Sequence, residues 1–191
     1  MNLLPLLAIV SLLSCNDNGS TNEKRSDTVR SEAVIKNEPT VVIKATDSVS
    51  TEGIISTYLQ MKNAFAKDNS TAAATAAASL KKELDNINAS GLTGNKAKVF
   101  KDLSESMTEH AEHINSNAGK IAHQREHFDM LSDDIYTLIK TFGTSKKLYY
   151  DHCPMYNNGK GGDWISDVKE IQNPFYGKAM STCGTVKEEL N

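Results

Sequence analysis

Two short clusters near the C-terminus mirror each other: Cys153-x-Met155 and Met180-x-x-Cys183, with His152 directly before the first. Thiolate and thioether sulfurs are soft, polarisable donors, and they favour monovalent copper or silver over hard cations. At these spacings a cysteine and a methionine can face one ion from a single turn, and two such turns together would close its coordination sphere. Glycines surround both clusters, at Gly159, Gly161, Gly162, Gly177 and Gly184, and permit the tight backbone that such turns need. Cys153, Met155, Met180 and Cys183, with His152 as a nitrogen donor, are therefore the candidate ligands for Cu(I) or Ag(I). No catalysis is implied.

The competing chemistry is a disulfide. If Cys15 is consumed elsewhere, Cys153 and Cys183 are the two cysteines left, and an oxidising compartment would tend to pair them. Such a bridge would close a loop of about 30 residues, worth about 3 kcal/mol in the chain-entropy account. The chain would then be a structural or interaction module without metal. A third possibility is the stretch His123-Gln124-Arg125-Glu126-His127, which matches H-x-x-E-H, the inverted zinc-peptidase pattern. His123 points away from the apolar stripe of its segment and His127 only flanks it, so the pair reads as a solvated face. His110, near Met107, falls on an apolar face as a core histidine, and His113 flanks the same face. No Ser-His-Asp set, phosphate loop or paired-carboxylate pocket is legible.

Four segments with helical spacing must carry these residues. They run over about 51–67, 70–87, 95–115 and 120–142, separated by short turn-like breaks. The first starts from a Ser or Thr cap and bears Ile54, Ile55, Tyr58, Leu59, Met61 and Phe65; the second opens with alanines that favour helix and permit close approach. Val99, Leu103, Met107 and Ile114 line the third, and Phe128, Leu131, Ile135, Leu138 and Ile139 the fourth, which ends at Gly143. Apolar stripes joined by short connections predict an all-α fold, an up-down four-helix bundle. Residues 144–191 read as an irregular segment packed on it, docked by Trp164, Phe175 and Tyr176 with help from Tyr149 and Tyr150. Weak helical spacing remains only at 166–171.

The N-terminus has a different character. Met1 to Ser14 is an apolar run too short to span a bilayer as a stable helix, and it reads as an export signal. Its end, Leu12-Leu13-Ser14-Cys15, resembles the bacterial lipobox, which makes Cys15 the expected lipidation site. Residues 15–50 are polar and of mixed charge, a lipidated, flexible tether with too little apolar surface to offset its ordering entropy. Residues 51–191 form the helical, metal-binding domain. A net charge of -3 with no basic stripe argues against a nucleic-acid partner.

The stretches "QREHF", "LIKTFG", "HCPM", "DWIS", "NPFYG" and "MSTCG" together resemble a bacterial domain family of unknown function, family 3347, over roughly residues 53 to 190. Its members occur as envelope lipoproteins and as extensions of copper or silver efflux membrane-fusion proteins. The resemblance implies a helical, periplasm-facing domain with a heavy-metal role and an efflux adaptor as partner. "CPM" is also similar to the heavy-metal-binding module of copper transporters, although Tyr156 and Asn157 stand where that module has His and Pro. Within the family-like stretch, Gln124 and Arg125 are read as structural, an amide and a guanidinium that hydrogen-bond the backbone of the tail. The sequence thus predicts an envelope lipoprotein, lipid-anchored to a membrane, that binds a soft metal for sequestration or delivery.

Overall fold

The structure, a computed structural model, describes residues 47–191. The apolar leader, Cys15 and nearly all of the tether lie outside the described residues. The chain forms four long helices, α1 (Glu52–Ala66), α2 (Ser70–Asn86), α3 (Gly94–Ser116) and α4 (Ile121–Phe142), then β1 (Leu148–Cys153), β2 (Gly162–Ser166) and β3 (Thr185–Leu190). Each helix begins and ends within about one residue of the range expected from its apolar stripe. No described helix is long and apolar enough to cross a membrane.

Local chemistry sets the ends. Asn69 caps α2, its side chain accepting from the Ala72 N–H at 2.9 Å. At the end of α4, Gly143 takes φ +81° and its N–H closes on Ile139 O at 2.8 Å. The Ser or Thr cap expected for α1 is not made. Thr51 precedes the helix, but its hydroxyl donates to Gly143 O at 3.2 Å, joining the start of α1 to the end of α4.

Consecutive helices pack on each other, α1 on α2, α2 on α3 and α3 on α4. Ala73, Ala76 and Ala77 are buried along α2, where their small side chains let its neighbours approach. The core centres on Phe128, stacked on Tyr58 at 5.2 Å between centroids and touching Phe65 at 5.0 Å. That aromatic line continues through Phe175, 6.0 Å from Phe128, to Trp164, 5.8 Å from Phe175.

The segment after Gly143 corrects the expectation of an all-α chain with an irregular end. It forms an antiparallel sheet in the order β2-β1-β3, laid against α4 and α1 through β2. Its strands are short, and β3, Thr-Val-Lys-Glu-Glu-Leu, is mostly polar, so no long apolar alternation advertised them. Residues 166–171 are not helical; Ser166 ends β2 and bends follow. Trp164 and Phe175 are buried as the expected anchors, and the backbone N–H of Ile165 donates to the Tyr58 hydroxyl at 3.1 Å, which also meets Ser132 Oγ at 2.7 Å.

Beneath the sheet lies a polar cluster that helical periodicity does not reveal. Lys62 is fully buried on α1, its Nζ 3.3 Å from Gln172 Oε1, 3.4 Å from Ser166 Oγ and 3.8 Å from Asp167 Oδ1. Asp151 on β1 is also fully buried, paired in register with Trp164; its carboxylate oxygens and the indole Nε1 have no hydrogen-bond partner among the described residues. Burial pushes the Asp151 pKa up to about 7, against the opposing pull of the Lys62 charge. The folded form therefore holds a proton that the unfolded chain, with its carboxyl titrating near about 4, has released. Stability from this group is complete below about pH 4 and is lost as pH rises through about 7. In metal-free protein, Asp151→Asn should flatten the fall in melting temperature between pH 5 and pH 8, followed by thermal denaturation across that range; an unchanged slope would show that Asp151 does not titrate there.

Candidate functional site

The sheet brings the two cysteines together. Cys153 ends β1, fully buried; Cys183 lies just before β3, half-buried, and the two sulfurs stand 3.0 Å apart as free thiols. The contact with Cys153, and to a smaller degree burial, pushes the Cys183 thiol up. Two sulfurs at this distance can share one soft ion, or two-electron oxidation can join them with loss of both protons.

Gly184 makes the approach feasible. It takes φ +148°, and a Cβ there would come within 2.8 Å of both His152 O and the Trp164 ring. Any side chain would push the Cys183 segment off β1.

The other predicted ligands are placed differently. Met180 closes a 3-10 turn, Gly177–Met180, and its carbonyl accepts from the Cys183 N–H at 3.1 Å, so it sits one turn before the thiol and is half-buried. Met155 is 53 % exposed on the turn after β1. His152 faces away from the thiols. Successive residues of a strand point to opposite faces, and while Asp151 and Cys153 point inward, the His152 ring is held outside by Asp163, its Nδ1 2.8 Å from Oδ1. Glycine at 161 leaves room for that ring, since a Cβ there would collide with it.

The two turns that carry the predicted ligands are tied to each other. The Tyr176 hydroxyl donates to Met155 O at 2.8 Å, and Tyr156 stacks on Phe175 with centroids 4.0 Å apart. Asn173 fixes the second turn, accepting from the N–H groups of Phe175 at 2.8 Å and Tyr176 at 3.0 Å and donating to Cys183 O at 2.7 Å. Beside these turns opens a cleft of about 480 Å³ lined by Arg125, Asp129, Met130, Tyr156 and Tyr176 among others. Burial there, with the charges of Asp133 and Asp163, raises Asp129 to about 6.

Arg125 fastens this assembly to the helices. Its Nε donates to Pro174 O at 2.7 Å, and Nη2 donates to Phe65 O at 2.9 Å and Asp68 Oδ1 at 2.7 Å. Asp68 in turn accepts from the Lys178 N–H at 3.0 Å, and these two contacts, Arg125 first, hold its carboxyl below the usual range. Gly177 takes φ +55°; a Cβ there would collide with the Asp68 carboxylate and stand 2.7 Å from Nη2. Arg125 thus bonds the tail backbone as expected. Gln124 does not; its amide is spent between helices, donating to Ile114 O at 2.8 Å and Ser70 O at 3.2 Å.

What the sequence missed is a histidine cluster. His113, His123 and His127 each place a ring nitrogen within 4.8 Å of the others, and His127 Nδ1 is 3.2 Å from His110 Nδ1. The signal was present: a pair at i, i+3 near the end of α3 and a pair at i, i+4 at the start of α4, across a short turn. The second pair reads in the sequence as an H-x-x-E-H match on a solvated face, and only the packing of α3 on α4 brings the first pair to it.

These features define a mostly helical domain with a small antiparallel sheet, carrying a free thiol pair on the sheet and imidazoles on the helices. Residues 54–147 match the model of a family described as "Protein of unknown function (DUF3347)", and this helical region belongs to that family. The match spans the four helices and stops one residue before β1, short of the expected reach to about residue 190, so both cysteines lie beyond it. No curated protein and no solved structure matches the chain.

Arg125→Met should lower stability by about 2–4 kcal/mol, because Pro174 O loses its donor and Phe65 O and the Asp68 carboxylate each lose the charged one, keeping only the N–H groups of Asp68 and Lys178. In reduced wild type, Cys183 should alkylate before buried Cys153, and in Arg125→Met the two rates should converge. Mass spectrometry of timed alkylation reads both; equal rates already in wild type would contradict the burial described.

Proposed function

We propose that this chain is an envelope lipoprotein, lipid-anchored through Cys15, that binds a soft monovalent ion, Cu(I) or Ag(I), at Cys153 and Cys183. The ion is held for sequestration or for delivery to a copper-efflux membrane-fusion protein. The single observation that carries this reading is the thiol pair: two unbridged sulfurs 3.0 Å apart, 30 residues apart in sequence, brought together by strand pairing. Thiolates are the donors that select Cu(I).

Met180 is the third ligand, one turn from Cys183 on a segment fixed by Asn173. Met155, exposed on the neighbouring turn, is the fourth and the one best placed to pass an ion to a partner. His152 is the weakest member of the predicted set, since its ring is engaged with Asp163 on the other face of β1. No catalysis belongs to this reading. The helical part is taken as an up-down four-helix bundle, supported by consecutive helix packing and the Thr51–Gly143 contact between the start of α1 and the end of α4.

The same sulfur distance favours one further reading, a Cys153–Cys183 disulfide formed by an envelope oxidant that accepts two electrons as two protons leave. The module would then be stapled and free of metal. Titration of the reduced full chain with Cu(I) against a chromophoric competitor separates the two. One tight equivalent, lost in Cys153→Ser and weakened at least tenfold in Met180→Leu, is the expected result. No competition, with the bridge found in protein isolated from the envelope, would leave the stapled module. For the anchor, wild type should incorporate labelled palmitate in a bacterial host and Cys15→Ser should not; equal labelling would remove Cys15 from the reading.

A further inference from the structure

Four of the chain's five histidines gather at one end of the α3–α4 hairpin, on helices and away from the sheet. His110 and His113 come from the last turns of α3, and His123 and His127 from the first turns of α4. His113 and His127 stack face to face, with centroids 4.2 Å apart and planes 18° apart, and His123 stands edge-on to His127 at 4.9 Å. We propose that His113, His123 and His127 form a three-nitrogen site for a divalent first-row transition ion, distinct from the thiol pair.

The spacing suits such an ion. A tetrahedral centre with bonds of about 2.0–2.1 Å keeps its nitrogens about 3.4 Å apart. One nitrogen from each of the three rings already lies within 4.8 Å of the others. The rings are half-buried or exposed, and their rotation can close the remainder. Three protein nitrogens leave a fourth position open to water or to an incoming donor.

Two neighbours set which nitrogen faces the ion. Glu126 Oε2 lies 3.0 Å from His123 Nδ1, so Nδ1 donates to the carboxylate and Nε2 keeps its lone pair. His110 Nδ1 lies 3.2 Å from His127 Nδ1, and the His127 tautomer that donates from Nδ1 to His110 keeps the Nε2 lone pair for an ion. Carboxylate and imidazole partners of this kind orient metal-bound histidines and raise their basicity.

The backbone beneath the rings is fixed. Gln124, next to His123, is fully buried and donates to the carbonyl of Ile114, next to His113, at 2.8 Å. Its Oε1 accepts from Ser70 Oγ at 2.5 Å, and Ser70 Oγ accepts from the Gly119 N–H in the connecting turn at 2.7 Å. One side chain therefore locks the register between the two histidine pairs.

Imidazole is a borderline donor, suited to Cu(II), Zn(II) and Ni(II) and less to Cu(I), and Cu(II) heads the affinity order. This inference stands apart from the thiol reading and fails separately from it. The test uses the full chain with Cys153→Ser and Cys183→Ser together, titrated with Cu(II) and, separately, with Zn(II). One saturable equivalent of sub-micromolar affinity is expected for each, with nitrogen superhyperfine structure in the Cu(II) electron paramagnetic resonance spectrum. His127→Ala and His123→Ala should each weaken binding by about 100-fold, and His110→Ala by about 10–100-fold through lost orientation. His152→Ala should change nothing, and circular dichroism confirms the fold of each variant. Absence of a saturable equivalent, or binding that survives both His123→Ala and His127→Ala, would overturn the proposal. His123 is the decisive position, because its solvent-facing ring can be removed without disturbing the core.

Discussion

Arg125 is the constraint through which the C-terminal segment is held on the helices. One guanidinium meets the carbonyl of Phe65 near the end of α1, the Asp68 carboxylate and the carbonyl of Pro174 at the head of the turn that leads to Met180 and Cys183. Its fork gives Pro174 O a donor and adds a second to Phe65 O, which also accepts from the Asp68 N–H, and lysine, a point charge, could not reach three partners with that geometry. The surroundings conform to it. Asp68 adopts φ +58°, and Gly177 must be glycine because any Cβ would occupy the space of the ion pair. Side-chain exposure of the pair is 12 % and 37 %, so its strength lies more in the carbonyl contacts than in the charge attraction, which water screens.

Given that fastening, the sheet needs little apolar surface of its own. β1 is the central strand and carries both inward groups that matter, Asp151 beneath Trp164 and Cys153 beside Gly162. An unpaired buried carboxylate would be costly, and Asp151 meets that cost by a raised pKa near Lys62 rather than by hydrogen bonding. Burial pushes the Lys62 pKa down as well.

The helices were legible because each presents one apolar stripe at steps of three and four, and burial of Leu103, Met107 and Ile114 or of Phe128, Leu131 and Ile135 follows that stripe directly. The sheet was not, because its strands are short and, in β3, polar at most positions; their pairing is decided by what Trp164 and Phe175 bury, which is tertiary information. The cysteine pair was legible from residue type alone, whereas His152 was misplaced for want of a strand assignment: in a loop it could turn toward Cys153, but in β1 alternation sends it to the other face. The histidine cluster was hidden for the opposite reason. Periodicity describes one helix at a time, and His123, which points off the apolar stripe of α4, comes beside His113 of α3.

The two donor sets differ in both chemistry and support. The thiols sit at strand ends that are positioned by glycine contacts, by Asn173 and ultimately by Arg125, so their separation depends on the docking of a segment. The imidazoles project from two helices whose register a single buried amide fixes, so their separation depends on the hairpin alone. Soft sulfur and borderline nitrogen select different ions, and here they are mounted on elements whose positions are set by different interactions. Loosening the tail would disperse the sulfurs while leaving the imidazoles where they are, so the two proposed sites rest on separate interactions.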